Sequence, residues 1–144
     1  MPVETDAEVK DILERNRVAV VGCSSTPGKA AHEIPKYLQA HGYEIVPVNP
    51  NADEVLGLAT YDSLSEVNAE IDIVDVFRPS AEVAGIVDEA LSRGDIEVIW
   101  IQLGIHDDEA VARAEAAGIR VVQDRCMKPE HQRLIGLGRS SNRD

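Results

Sequence analysis

Five apolar runs of strand length recur along the chain, at Val18–Val21, Glu44–Val48, Ile71–Phe77, Glu97–Ile101 and Arg120–Gln123. They are rich in Val and Ile and most are nearly continuous rather than alternating, the pattern of strands covered on both faces of a parallel sheet. The stretches between them read as helices with legible ends. Ser80 stands where it can cap a helix whose Val83, Ile86, Val87, Ala90 and Leu91 form one stripe, stopped by Gly94. Asp107 caps a second that ends at Gly118, and Ile34, Tyr37, Leu38 and His41 before Gly42 mark a third. Pro35 is tolerated only in a first turn, so that third helix is expected to start near Ala31 or His32.

Ahead of the first run, Thr5-Asp6-Ala7-Glu8 has the form of a capping box, followed by Val9, Ile12 and Leu13 at helical spacing. The segment from Tyr61 to Val67 reads as a short helical turn crossing between the second and third runs. Alternating strand and helix predict an α/β fold: three layers around a doubly wound parallel sheet of five strands, in the order 3-2-1-4-5. Ligands of such sheets bind at the carboxyl ends of the strands, where the strand order reverses.

With 144 residues, 44% of them hydrophobic, the chain has material for one core, so residues 1–144 are expected to form one domain with a loose tail from about Gly136. Charge interrupts every apolar run, and the start MPVETDAEVK lacks the blocks of a signal peptide; a cytoplasmic protein without membrane contact is expected. Asp and Glu outnumber Lys and Arg 26 to 14, a net charge of -12 that repels nucleic-acid phosphates. That acidity also suits a salt-rich cytoplasm, which makes a halophilic origin a hypothesis.

The cysteines, Cys23 and Cys126, form no Cys-x-x-Cys knuckle, and His32, His41, His106 and His131 form no His-x-x-x-His pair, so no metal site is expected. Cys126 has no adjacent base to activate it and reads as an incidental thiol. Trp100 reads as core, and Asp75, which interrupts an apolar run, as a hydrogen-bonded structural carboxylate.

The loops after the strands carry the candidate chemistry. Gly22-Cys23-Ser24-Ser25-Thr26-Pro27-Gly28-Lys29 offers small residues, hydroxyls and a following helix N-terminus to a phosphate, yet it is neither a Walker loop nor a full G-x-G-x-x-G. Val48-Asn49-Pro50 ends the second run without the Asp or Glu that an NAD-binding domain places there, which argues against a dinucleotide. In Phe77-Arg78-Pro79-Ser80 the arginine can reach a phosphate and the phenylalanine can pack on an adenine or pantetheine arm. The Gln102 amide, in Trp100-Ile101-Gln102-Leu103-Gly104, is expected to face the same pocket.

Taken in order, VAVVGCSSTPGK, HGYEIVPVNPNADEVLG, IDIVDVFRP, VIWIQLG and DRCMKPEHQRL resemble the small stand-alone CoA-binding proteins. That is a family of Rossmann-like domains akin to the nucleotide-binding domain of the succinyl-CoA synthetase alpha subunit. The resemblance implies a site for coenzyme A or an acyl-CoA. Gly22, Ser24, Ser25, Pro27 and Lys29 would hold phosphates, Asn49 and Pro50 would flank the adenosine or its phosphates, and Phe77, Arg78 and Pro79 would line the other wall. It implies a binding or regulatory role more than an enzymatic one. The alternatives are an enzyme acting on a CoA thioester through Cys126, Asp75 or Gln102, and an NAD(P)-binding oxidoreductase module. The resemblance also leaves open a Cys23 thiol beside the ligand.

Overall fold

A computed structural model describes residues 5–136 of the chain. Thr5 accepts a hydrogen bond from the Glu8 backbone and opens α1 (Asp6–Leu13), as its capping box predicts. Then follow β1 (Arg17–Val21), α2 (Ala30–Ala40), β2 (Glu44–Val48) and a small antiparallel hairpin of β3 (Glu54–Val55) and β4 (Leu58–Ala59). A 3-10 turn at Leu64–Glu66 leads to β5 (Ile73–Val76), and a second at Ser80–Glu82 runs into α3 (Val83–Arg93). The chain continues through β6 (Val98–Ile101), α4 (Asp108–Ala116), β7 (Arg120–Val122) and α5 (Met127–His131), which loosens into a wider turn over Gln132–Gly136. No described helix is long and apolar enough to cross a membrane. The expected loose tail lies, over residues 137–144, outside the described residues.

Alternation along the strands divides the core in two. Val18, Val20, Ile73, Val98 and Trp100 face α1, α2 and α5, where Val9, Ile12, Leu13, Ile34, Leu38 and Met127 pack on them. Ala19, Val21, Val74, Val76, Ile99 and Ile101 face α3, α4 and the Leu64 turn. The three-layer α/β class is therefore as expected.

The β1, β2, β5, β6 and β7 strands are all parallel, in the order β2-β1-β5-β6-β7. Counted along the chain this is 2-1-3-4-5, so the doubly wound pattern holds but the third strand is not outside the second, as the order 3-2-1-4-5 had it. It pairs with β1, Val18 opposite Ile73 through Val21 opposite Val76. The outer edge of β2 is taken instead by Tyr61, whose N–H donates to the Pro47 carbonyl and whose carbonyl accepts from the Asn49 N–H. The reversal of strand order thus lies between β1 and β5, and their carboxyl ends frame the crevice.

Helix ends account for the remaining differences. Gly94 and Asp107 act as expected, Gly94 at φ 81° and Asp107 accepting from the Ala110 N–H. Ser80 does not cap α3: its Oγ accepts the His106 N–H at 2.9 Å and ties the turn after β5 to the loop after β6.

Candidate functional site

A cavity of about 500 Å³ opens at the carboxyl ends of β1, β2 and β5. Four loop segments wall it: Gly22, Ser24, Lys29 and Ala31 after β1; Asn49, Pro50 and Asn51 after β2; Asp62, Ser63 and Leu64 from the crossover; and Phe77 and Arg78 after β5. The fifth wall is one face of α3 and the turn before it, Glu82, Ile86 and Glu89, at the i, i+4, i+7 spacing of a helix stripe.

The first loop is held by hydrogen bonds with the end of β2 and with the first turns of α2. The Gly22 N–H donates to the Val48 carbonyl, and Asn49 Nδ2 donates to the Cys23 carbonyl while its Oδ1 accepts the Asn51 N–H. The Asn49 amide is thus used to lock two loops together. Further on, His32 Nδ1 lies 2.7 Å from the Ser24 carbonyl, and the Gly28 N–H donates to Glu33. That bond is the main reason the Glu33 carboxyl is held below its ordinary range.

The Ser24 N–H donates to the Ala31 carbonyl at 2.9 Å. In an uninterrupted helix that carbonyl would accept from the N–H of residue 35, and residue 35 is a proline with none to offer. Pro35 therefore frees the helix carbonyl that anchors the loop.

Gly22 is required twice over. Its φ of 91° lies in the left-handed region, and a Cβ there would sit 2.8 Å from Arg78 Cδ. The bare backbone lets the arginine stem cross the loop, and its guanidinium then meets Glu82 in a fork, Nε to Oε1 at 3.1 Å and Nη2 to Oε2 at 2.7 Å. The hydrogen bond lowers the Glu82 carboxyl from its ordinary range and raises Arg78. Glu89 accepts both the N–H and the Oγ–H of Ser65, each at 3.0 Å. The walls thus combine two cationic side chains, Lys29 and Arg78, with three carboxylates, Asp62, Glu82 and Glu89.

Of the residues singled out from sequence, Gly22, Ser24, Lys29, Asn49, Pro50, Phe77 and Arg78 line the cavity. Ser25, Pro27 and Pro79 are exposed beside it and are not part of its lining. Gln102 does not face the cavity. It continues the alternation of Trp100, and its Nε2 donates to Asp75 Oδ1 in the core on the α1, α2 and α5 side, while its Oε1 accepts the Met127 N–H. Asp75 is the hydrogen-bonded buried carboxylate expected, although its Oδ2 has no hydrogen-bond partner among the described residues. Burial pushes it up to about 8, against the opposing pull of the Gln102 bond.

Cys23 also turns inward. Its side chain is fully buried, its thiol is pushed up to about 12 by burial, and only its carbonyl meets the cavity's framework, so no thiol stands beside a ligand at that position. Cys126 is half-buried, its thiol raised chiefly by burial. Trp100 is core, its Nε1 donating to the Arg125 carbonyl.

Sequence reasoning missed Asp62, Ser63, Leu64, Glu82, Ile86 and Glu89. The α3 stripe carried a signal in its spacing. Asp62 carried none, because it reaches the cavity only through the docking of Tyr61 on β2. An acid therefore lines the cavity, from a later part of the chain than the tip of the second strand.

Residues 16–132 match the model of the CoA binding domain family. The chain is 44% identical over 126 residues to the uncharacterized protein YneT of Bacillus subtilis (strain 168), covering 87% of this chain and 93% of that one. It is 28% identical to an ADP-forming acetate–CoA ligase of Methanocaldococcus jannaschii over 85% of its length, but this corresponds to only 18% of the ligase. A hypothetical protein from Pyrococcus horikoshii OT3 superposes with a TM-score of 0.89 at 37% identity, over 94% of this chain and 97% of that one. The chain belongs to the CoA-binding domain family and is related to a domain of the ADP-forming acetate–CoA ligases.

Proposed function

We propose that this protein binds coenzyme A or an acyl-CoA in the cavity at the carboxyl ends of β1, β2 and β5, as a cytoplasmic binding or regulatory protein. The observation that carries the reading is the convergence of Lys29, Arg78 and the anchored first loop on one cavity at the point where strand order reverses, in a chain of this family. The first loop and Lys29 take the diphosphate, with Ser25 and Pro27 shaping its outer rim. Asn49 and Pro50 flank the adenosine, and Phe77, with Pro79 behind it, gives an apolar wall to the pantetheine arm.

Binding fits this cavity better than turnover of a thioester. Among its described lining residues there is no Cys or His, and Asp75, Gln102 and Cys126, the groups that could act on a thioester, lie outside it. Asp62 supplies a carboxylate of the kind that holds a ribose diol, so NAD is the competitor to test.

The test is thermal unfolding with CoA, acetyl-CoA, NAD and NADP at matched ionic strength. A ligand at a hundredfold excess over its Kd stabilises the folded state by about 2.7 kcal/mol, which raises Tm by roughly 10 °C in a domain of this size. CoA species are expected to give that shift, and Lys29→Ala to weaken CoA by about 1 to 3 kcal/mol. A larger shift with NAD than with CoA overturns the reading in favour of a dinucleotide.

A further inference from the structure

Arg78 is already engaged by a carboxylate of its own chain. Both Arg78 and Glu82 line the cavity, and the bond between them uses the Nε–Nη2 edge of the guanidinium, the edge that matches two oxygens of a phosphate. The pair is set by the fold: Pro79 and the 3-10 turn at Ser80–Glu82 carry Glu82, four residues on in sequence, back alongside Arg78, while Gly22 leaves the space the arginine stem crosses. Both side chains are close to half exposed, at 45% and 48%, so the bond is of the exchangeable kind rather than a buried strut.

We propose that Glu82 is a specificity-determining residue that acts as an internal competitor for Arg78, occupying the guanidinium edge a ligand's phosphate takes. An anionic ligand must displace this carboxylate or share the arginine with it. Small anions without further contacts in the cavity are then rejected, whereas a long ligand held also by the first loop and the apolar wall is accepted. This rests on the reading of the cavity as a CoA site and adds to it the residue that sets how strongly phosphate contributes.

The experiment is calorimetric titration of CoA into the full chain as wild type, E82Q, R78A, R78A/E82Q and D88N, all at one ionic strength. Asp88 is a carboxylate of α3, a turn and a half beyond Glu82, but it is exposed, pairs with Arg113 and does not line the cavity, so D88N removes the same charge elsewhere. E82Q is expected to tighten CoA about two- to fivefold, the range of an exposed ion pair. The gain is expected to vanish in the R78A background and to be absent in D88N. An E82Q variant that binds CoA as the wild type does, or more weakly, overturns the inference, since Glu82 would then be idle or would be positioning Arg78 for the ligand. The same gain in D88N or in the R78A background overturns it too, as a general effect of charge. A wild-type protein that does not bind CoA fails at the first titration, which marks the reading of the cavity, and this inference with it, as wrong.

Discussion

The two sides of the sheet are built on different terms. On the α3 and α4 side the interior is apolar throughout, and its polar work is done at the rim, by Arg93. On the α1, α2 and α5 side the described interior holds all three buried polar side chains, Asp75, Gln102 and His131. The first arrangement seals a crossover that lacks a full helix of its own. The second reaches from the sheet to the loops at the carboxyl edge, where Gln102 links Asp75 of β5 to the start of α5. The cavity itself opens on the α3 side, where Leu64, Ile86 and Glu89 line it, and the other side reaches it through Ala31 of α2 and the first loop that this residue anchors.

Removing the clamp on the apolar side should have the largest effect. Arg93 is only 12% exposed, donates to the carbonyls of Leu64, Val67 and Ala69, and forms a fork with Asp95, which itself accepts the Ile71 N–H. It thus gathers three carbonyls of the crossover between the 3-10 turn and β5. Arg93→Ala leaves three carbonyls and a carboxylate without that partner and is expected to destabilise the fold by about 3 to 5 kcal/mol in urea unfolding. A loss below about 1 kcal/mol would mean that the crossover is held by Leu64 and Val67 packing alone.

The polar side should reveal itself by pH. The folded protein holds the Asp75 proton up to about 8, whereas the unfolded chain releases it near 3.8, so between these values the folded state binds the extra proton. The contribution of this group to stability is full below the lower value, falls as pH rises and is lost through the upper one. Cys23 and Cys126 are themselves raised, chiefly by burial, and so stay neutral across that window. Asp75→Asn keeps a partner for Gln102 and cannot ionise. It is expected to be more stable than the wild type by about 1 to 3 kcal/mol at pH 8, with the advantage shrinking toward pH 4. Parallel stability profiles for the two proteins would show that Asp75 is already ionised and satisfied in the fold.

What could be read from sequence follows the same division. Strand runs, the Thr5 and Asp107 caps and the Gly94 stop are local, and each is set by residues within one element. Strand neighbours are not local: nothing in the Ile73–Val76 run says that it pairs with β1, because the edge of β2 is closed by Tyr61, distant in sequence from β1. The β3–β4 hairpin escaped notice because its turn places Leu56 at φ 56° before Gly57 at φ 76°, and leucine is not a residue that marks such a turn. Gln102 is the reverse case, since period-2 alternation from Trp100 is sufficient to place it on the α5 side rather than at the cavity.

The smallest effect belongs to Pro35, and it tests the link between the polar side and the cavity most directly. Its missing N–H leaves the Ala31 carbonyl to the Ser24 N–H, so Pro35→Ala introduces a donor aimed at a carbonyl already in use. A carbonyl has two lone pairs and can accept both, which limits the loss of the Ser24 bond to a weakening. The helix itself gains a propensity of up to about 3 kcal/mol, offset by the packing of the buried ring. Faster hydrogen exchange at the Ser24 amide and a CoA affinity reduced by about two- to fivefold are expected, with Tm unchanged or raised. A variant that merely damaged the helix would lower Tm and leave the Ser24 amide no more exchangeable than its neighbours. Loss of binding without loss of stability instead requires that the proline acts through the carbonyl it leaves open, and Ser24 exchange equal to that of the wild type removes that link.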